Sequence, residues 1–158
     1  MKTLSNVLAM STFFLLIVSQ DCVEAKQERW VLINPEVIKD SHNGQLWTRQ
    51  DNQFNINWKS AEAYCEALAL DDGGWRLPAL SELEGLYDKT KTLMVACGRS
   101  TCEVTPLFSL SSFWFWSSDQ TKTNETWGFN LAIGVRNAIP VSHSEVRRVL
   151  CVKSIPMS

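Results

Sequence analysis

Trp58-Lys59-Ser60-Ala61-Glu62-Ala63-Tyr64-Cys65-Glu66-Ala67-Leu68 is the stretch on which the fold turns. Trp58, Ala61, Tyr64, Cys65 and Leu68 recur at intervals of three and four, whereas Lys59, Glu62 and Glu66 fall off that face. That spacing predicts an amphipathic helix. Asn57 can cap it, because its side-chain oxygen can accept amide hydrogens that the first turn leaves unpaired. Asp71-Asp72-Gly73-Gly74 should stop it, so the helix is expected from Trp58 to about Leu70, with Cys65 aimed at the core.

Ahead of this helix, Arg29 to Ile33 reads as a short first strand. Val37-Ile38-Lys39 and Leu46-Trp47-Thr48-Arg49 read as the arms of a hairpin turned by Asn43-Gly44, the strongest short turn signal available. After it, Leu80, Leu83, Leu86 and Tyr87 form the apolar stripe of a second helix reaching about Lys89, with Glu82 and Glu84 facing water. Thr90 to Leu110 reads as loop. Phe113 to Ser118, Trp127 to Ile133 and Val146 to Val152 read as strands, and Gly134 to His143 as a turn with a short further strand. Strands, two helices, a long loop and then antiparallel strands make an α+β domain whose termini can share a sheet.

The 158 residues are 45% hydrophobic and 20% charged, which is ordinary globular composition and suits one domain. A formal charge of -2 with interspersed signs provides no basic stripe, so nucleic acid is not an expected partner. Lys2 followed by an apolar run to Val18 and by Val23-Glu24-Ala25 reads as a secretory signal peptide, residues 1 to 25, leaving one domain at 26 to 158. The apolar run is interrupted by Ser11 and Thr12 and falls short of the ~20 residues that cross a bilayer, so no membrane span is expected after cleavage. Gln20-Asp21 before Cys22 does not fit a lipoprotein signal.

Loss of that leader removes Cys22 and leaves Cys65, Cys97, Cys102 and Cys151. Export to an oxidising compartment favours disulfides, and sequence alone permits three connectivities. The expected pairs are Cys65 with Cys151 and Cys97 with Cys102. The first ties an early helix to the last strand, and the second closes a short loop at Gly98. No C-x2-C pair is present, so a zinc site is not expected.

Several phrases fall in a telling order: Gly44-Gln45-Leu46-Trp47-Thr48-Arg49, Trp58 to Cys65, Gly74-Trp75-Arg76-Leu77-Pro78, Glu82-Leu83, Phe115-Trp116-Ser117-Ser118 and Leu150-Cys151-Val152. Over about residues 36 to 153 they resemble the domain at the carboxyl end of a Legionella collagen-like adhesin. That bacterial family is similar to the C-type lectin fold and its relatives, among them the formylglycine-generating enzymes and the variable proteins diversified by retroelements. The resemblance implies two helices packed on a small antiparallel sheet, with long loops and two disulfides. It also implies a bond from the first helix to the last strand, in support of Cys65 with Cys151. One departure stands out. Relatives place Thr or Ser after the Trp-Arg-Leu-Pro phrase to complete a capping box, whereas Ala79 stands here and leaves only the Glu82 half.

Seven tryptophans are many for this length. Trp58 and Trp75 read as helical core, because a small domain needs large side chains to bury enough area. Along Phe113 to Trp116 side chains alternate, so Trp114 and Trp116 share one face and Phe113 and Phe115 the other. An exposed ledge of Trp114 and Trp116 beside Ser117, Ser118, Asp119 and Trp127 would stack on a sugar ring and bond its hydroxyls. Plain sheet packing accounts for the same residues.

Catalysis has no clear carrier. His42 and His143 sit in polar turns, and there is no Ser-His-Asp set, Gly-rich phosphate loop or H-E-x-x-H helix. Cys97 and Cys102 share the C-x4-C spacing of the formylglycine-generating enzymes, but only Arg99 lies nearby to lower a thiol pKa. The calcium phrases of sugar-binding C-type lectins are absent, and Asp71-Asp72 reads as a solvated helix end. Asn124-Glu125-Thr126 fits a glycosylation pattern that a bacterial source makes a chance match. The chain is thus expected to be an exported, non-catalytic binding or adhesion domain for a protein or glycan, without cofactor or metal. The rivals are an accessory subunit of a cell-surface assembly and a redox enzyme cycling Cys97 and Cys102.

Overall fold

The computed structural model describes residues 28–143 and 147–155. The expected leader, residues 1 to 25, and Val146 of the expected last strand lie outside the described residues.

Twelve short elements follow one another: β1 (Trp30–Asn34), β2 (Val37–Asp40), β3 (Gln45–Thr48), α1 (Trp58–Glu66), a 3₁₀ turn (Leu70–Asp72), α2 (Leu80–Leu86), β4 (Val95–Cys97), β5 (Ser100–Cys102), β6 (Trp114–Gln120), β7 (Glu125–Asn130), β8 (Val135–Pro140) and β9 (Val152–Ser154). They form three antiparallel sheets, ordered β1-β2-β3-β9, β4-β5 and β6-β7-β8, where the sequence led us to expect one small sheet. The fold is α+β, and its first and last strands share the four-stranded sheet.

The predicted hairpin forms as read. Gly44 turns it at φ 70°, and its N–H donates to the Asp40 carbonyl at 2.9 Å. Asn57 caps α1, its side chain accepting the Ser60 N–H at 2.9 Å. The helix ends earlier than expected, at Glu66. Leu68 N–H already bonds back to Cys65, and Asp71 through Gly74 all take positive φ, which no α-helix accommodates.

The second helix also stops short, at Leu86, because Tyr87 swings to ψ 121°. Beyond it the Asp88 carboxylate gathers the N–H groups of Thr90, Thr92 and Leu93 into a tight turn that competes with a further helical turn. Those bonds, led by the Thr90 hydroxyl, hold the Asp88 carboxyl well below the usual carboxylate range. The segment read as loop contains the β4–β5 hairpin, bonded across Val95 to Cys102 and Cys97 to Ser100.

Regular pairing at the carboxyl end is shorter than predicted. Residues 147–151 form no regular strand and change partners as they run. Arg148 exchanges backbone bonds with Trp114 and Trp116 of β6, after which the Cys151 carbonyl accepts from Thr48 of β3. One stretch therefore stitches two sheets together, which a hydrophobic alternation does not reveal.

Both expected disulfides are present, Cys65–Cys151 with Cα atoms 5.5 Å apart and Cys97–Cys102 at 5.8 Å. The long one lies in an apolar cluster with Val37, Leu46, Trp58, Trp75, Leu77 and Trp116. A second cluster gathers Ile38, Trp47, Leu83, Phe115, Phe129, Leu131 and Leu150 around the short one. Neighbours in sequence divide between the two: Val37 from Ile38, Leu46 from Trp47, Phe115 from Trp116 and Leu150 from Cys151. Alternating strand residues thus feed a core on each side.

Candidate functional site

β6 is buried on both faces where it carries the aromatic run, so the expected ledge of Trp114 and Trp116 is not an open surface. Phe115 and Trp116 are both fully buried. The Trp116 Nε1 donates to the Ile56 carbonyl at 2.7 Å, anchoring the loop that leads into α1. Ser117 is buried as well, with its hydroxyl given to the Trp127 carbonyl at 3.0 Å and its own carbonyl accepting Trp58 Nε1 at 2.8 Å.

Two more of the predicted residues have structural partners. Ser118 is exposed, and its N–H is held by the Pro78 carbonyl at 2.7 Å. The Asp119 carboxylate accepts the Leu80 N–H, the first amide of α2. It supplies from another strand the cap that Ala79 lacks. The Glu82 half of the box is present, accepting the Ala79 N–H at 2.7 Å. Trp127 is half-buried under Arg136, whose guanidinium carbon lies 5.5 Å from the ring centroid.

Trp114 differs from these because it is half-exposed and borders a groove of about 620 Å³. Phe113, Ser111 and Ser112 line the same groove from one side, Gly98 and Arg99 from the β4–β5 turn, and Asn55 and Arg148 from the other. The turn is pressed into place. Gly98 has φ +64°, and a Cβ there would sit 2.7 Å from the Ser111 carbonyl oxygen, so only glycine lets the hairpin approach.

Asp51 organises the wall at Ser111 and Arg148 from behind. Its carboxylate, fully buried, accepts the Ser111 N–H at 2.7 Å, the Ser111 hydroxyl and the Gln53 N–H at 2.8 Å. Arg148 donates to the Ser111 hydroxyl and lies 3.9 Å from Asp51. The Arg148 charge is thereby balanced within the wall. Arg99, exposed on the turn between the cysteines, carries the groove's outward charge.

Behind Trp114 lies Arg147, only 2% exposed. Its guanidinium carbon stands 5.1 Å from the Trp114 centroid and 4.5 Å from that of Trp116, and Nη2 donates to the Asn137 carbonyl at 3.0 Å. Burial pushes this guanidinium down to about 10. The face of the tryptophan pair on which a sugar was expected is thus covered by the protein's own cation.

Chemically, the groove offers an aromatic floor, hydroxyls, an amide and one outward guanidinium. These groups contact the C–H faces of a ring and bond its hydroxyls. Sequence reasoning found Trp114 but missed Arg99, Arg148, Asn55, Ser111 and Ser112 as a set. The signal that could have found the hairpin was Cys97-Gly98-Arg99 before Cys102, a turn that a short disulfide holds out from the body. Cys97 and Cys102 are bonded and fully buried. His42 and His143 are both exposed. Among the described residues no three His, Cys, Asp or Glu side chains gather as a metal would require.

These features define a small, disulfide-linked α+β domain with a surface groove. The Lcl C-terminal domain family matches residues 36–153, and the chain belongs to that family, the one of the Legionella collagen-like adhesin carboxyl-terminal domain. No curated protein matches it.

Proposed function

We propose that this chain is an exported, non-catalytic binding domain of C-type-lectin-like architecture, and that the groove between the β4–β5 turn and Trp114 takes a glycan. Membership of an adhesin-associated family agrees with a binding role. The covalent link from α1 to the closing segment and the shared sheet of β1 and β9 support the architecture. Two buried disulfides support passage through an oxidising compartment. Among the described residues no helix is long and apolar enough to cross a membrane.

The observation that carries the reading is the convergence of half-exposed Phe113 and Trp114 with Arg99, Ser112 and Asn55 on one concave surface. A glycan array probed with the chain tests it. Binding that falls at least tenfold in Trp114→Ala and in Arg99→Ala, with both variants still folded, is expected, a loss of about 1.4 kcal/mol. An array without hits would overturn the glycan and turn attention to a protein ligand.

A further inference from the structure

We propose that Arg147 is a positioning residue that gives the groove its charge preference: acting through Trp114, it turns the groove against protonated amino sugars and leaves it open to their N-acetylated forms. The inference rests on the groove reading and names the class of sugar that the groove takes.

Arg147 is outside the residues that line the groove and is buried behind it. Its guanidinium carbon lies 5.1 Å from the Trp114 centroid and 4.5 Å from that of Trp116, so both rings bear on one charge. Gly128 makes the seat, because a Cβ there would stand 2.5 Å from Nη1. Nη2 donates to the Asn137 carbonyl on β8 at 3.0 Å. The main chain fixes the other end of the residue. The Arg147 carbonyl accepts the Ile56 N–H at 3.1 Å, and the Arg148 N–H donates to the Trp114 carbonyl at 3.0 Å. These bonds keep the cation beside the ring when a ligand enters.

An indole face attracts cations through the negative charge of its π system. Arg147 already uses that attraction from the buried side. A second cation stacked on the groove side finds π density drawn away from it and a like charge behind the ring. Protein rather than water lies between the two, so screening is weak. The other charges of the groove act in the same direction. None of the described residues lining it is acidic, the Arg148 charge is met by Asp51, and Arg99 adds a positive charge. An N-acetyl group is uncharged, and its methyl can pack on the half-exposed rings of Phe113 and Trp114.

Quenching of Trp114 fluorescence in the free chain by iodide and by caesium is the first test, the Trp114 share being what Trp114→Phe removes. Scaled to free N-acetyltryptophanamide, iodide should quench roughly threefold better than caesium in the wild type, and still do so in Arg99→Ala. Arg147→Met should abolish most of that preference, whereas Arg147→Lys, which keeps the charge, should retain most of it. A change of packing alone would move both ions together. The second test is an array that carries each amino sugar in N-acetylated and free-amine form. The wild type should bind the acetylated form about tenfold more tightly, and Arg147→Met should narrow the gap. Equal quenching by the two ions in the wild type, a preference that survives in folded Arg147→Met, or a free amine bound as tightly as its acetylated form would each overturn the proposal. An array without hits would overturn the glycan reading and with it the sugar class, while an intact ion preference would still uphold the charged face of Trp114.

Discussion

Arg147 lies across Trp116 with its guanidinium carbon 4.5 Å from the ring centroid, and its Nε and Nη1 make no hydrogen bond among the described residues. A buried cation held by rings in place of a carboxylate gains from the ring quadrupole but bears its desolvation without an ion pair. Arg147→Met, which keeps the volume and removes the charge, should lie within about 1 kcal/mol of the wild type in urea denaturation. Arg147→Ala should cost about 2–4 kcal/mol through the space it leaves.

Gly128 is where that arginine crosses β7. A Cβ there would stand 2.5 Å from Arg147 Nη1 and 2.7 Å from the Phe115 carbonyl oxygen, and the latter is backbone that cannot step aside. Gly128→Ala should therefore destabilise by about 2 kcal/mol or more, read as a fall in thermal midpoint.

Asp119 caps α2 across the fold, so Asp119→Ala should cost about 1 kcal/mol. Ala79→Ser, placed in that background, restores a local cap and should recover much of the loss. Equilibrium unfolding of the single and double variants checks this, and no recovery would mean that Asp119 acts through some other contact.

Glu82 links pH to the same helix end. Burial raises its pKa, but bonds from Arg76, the Ala79 N–H and Gln45 outweigh that and bring it below its ordinary 4.5. A carboxyl depressed in the folded state adds stability above the unfolded value, and that stability is lost as pH falls through the folded one. Unfolding measured across this range should show a loss below pH 4.5 that Glu82→Gln diminishes, with a contribution at neutral pH of about 1 kcal/mol.

The two disulfides should differ in weight. Loop entropy assigns about 4 to 5 kcal/mol to the long closure from Cys65 to Cys151 and about 2 kcal/mol to the short one. Replacing the long pair with alanine should lower the denaturation midpoint far more than replacing Cys97 and Cys102.

Much of the fold was legible because it is written in local signals. Asn57 capping α1, Asn43-Gly44 turning the hairpin and Cys65 on the apolar helix face each act within a few residues. The β4–β5 hairpin was hidden because its three-residue strands are held by a disulfide and by packing on Ser111, with little strand pattern of their own. The ledge misread had a different origin. Alternation correctly separated Trp114 and Trp116 from Phe113 and Phe115, but it cannot show that a distant arginine covers one face. Asp119 was taken for a ligand contact for the same reason: its partner, Leu80, is far away in sequence. The groove combines residues from four separated stretches, and among them only Trp114 was read as a ligand contact.

The account's central claim concerns where a ligand sits. Amide chemical shifts of the chain, titrated with the strongest glycan from the array, test it most directly. Shifts concentrated at Gly98, Arg99, Ser111 to Trp114, Asn55 and Arg148 are predicted. Shifts confined to the separate cleft of Glu36, Gln50, Gln53 and Tyr64, with the groove amides unmoved, would contradict it.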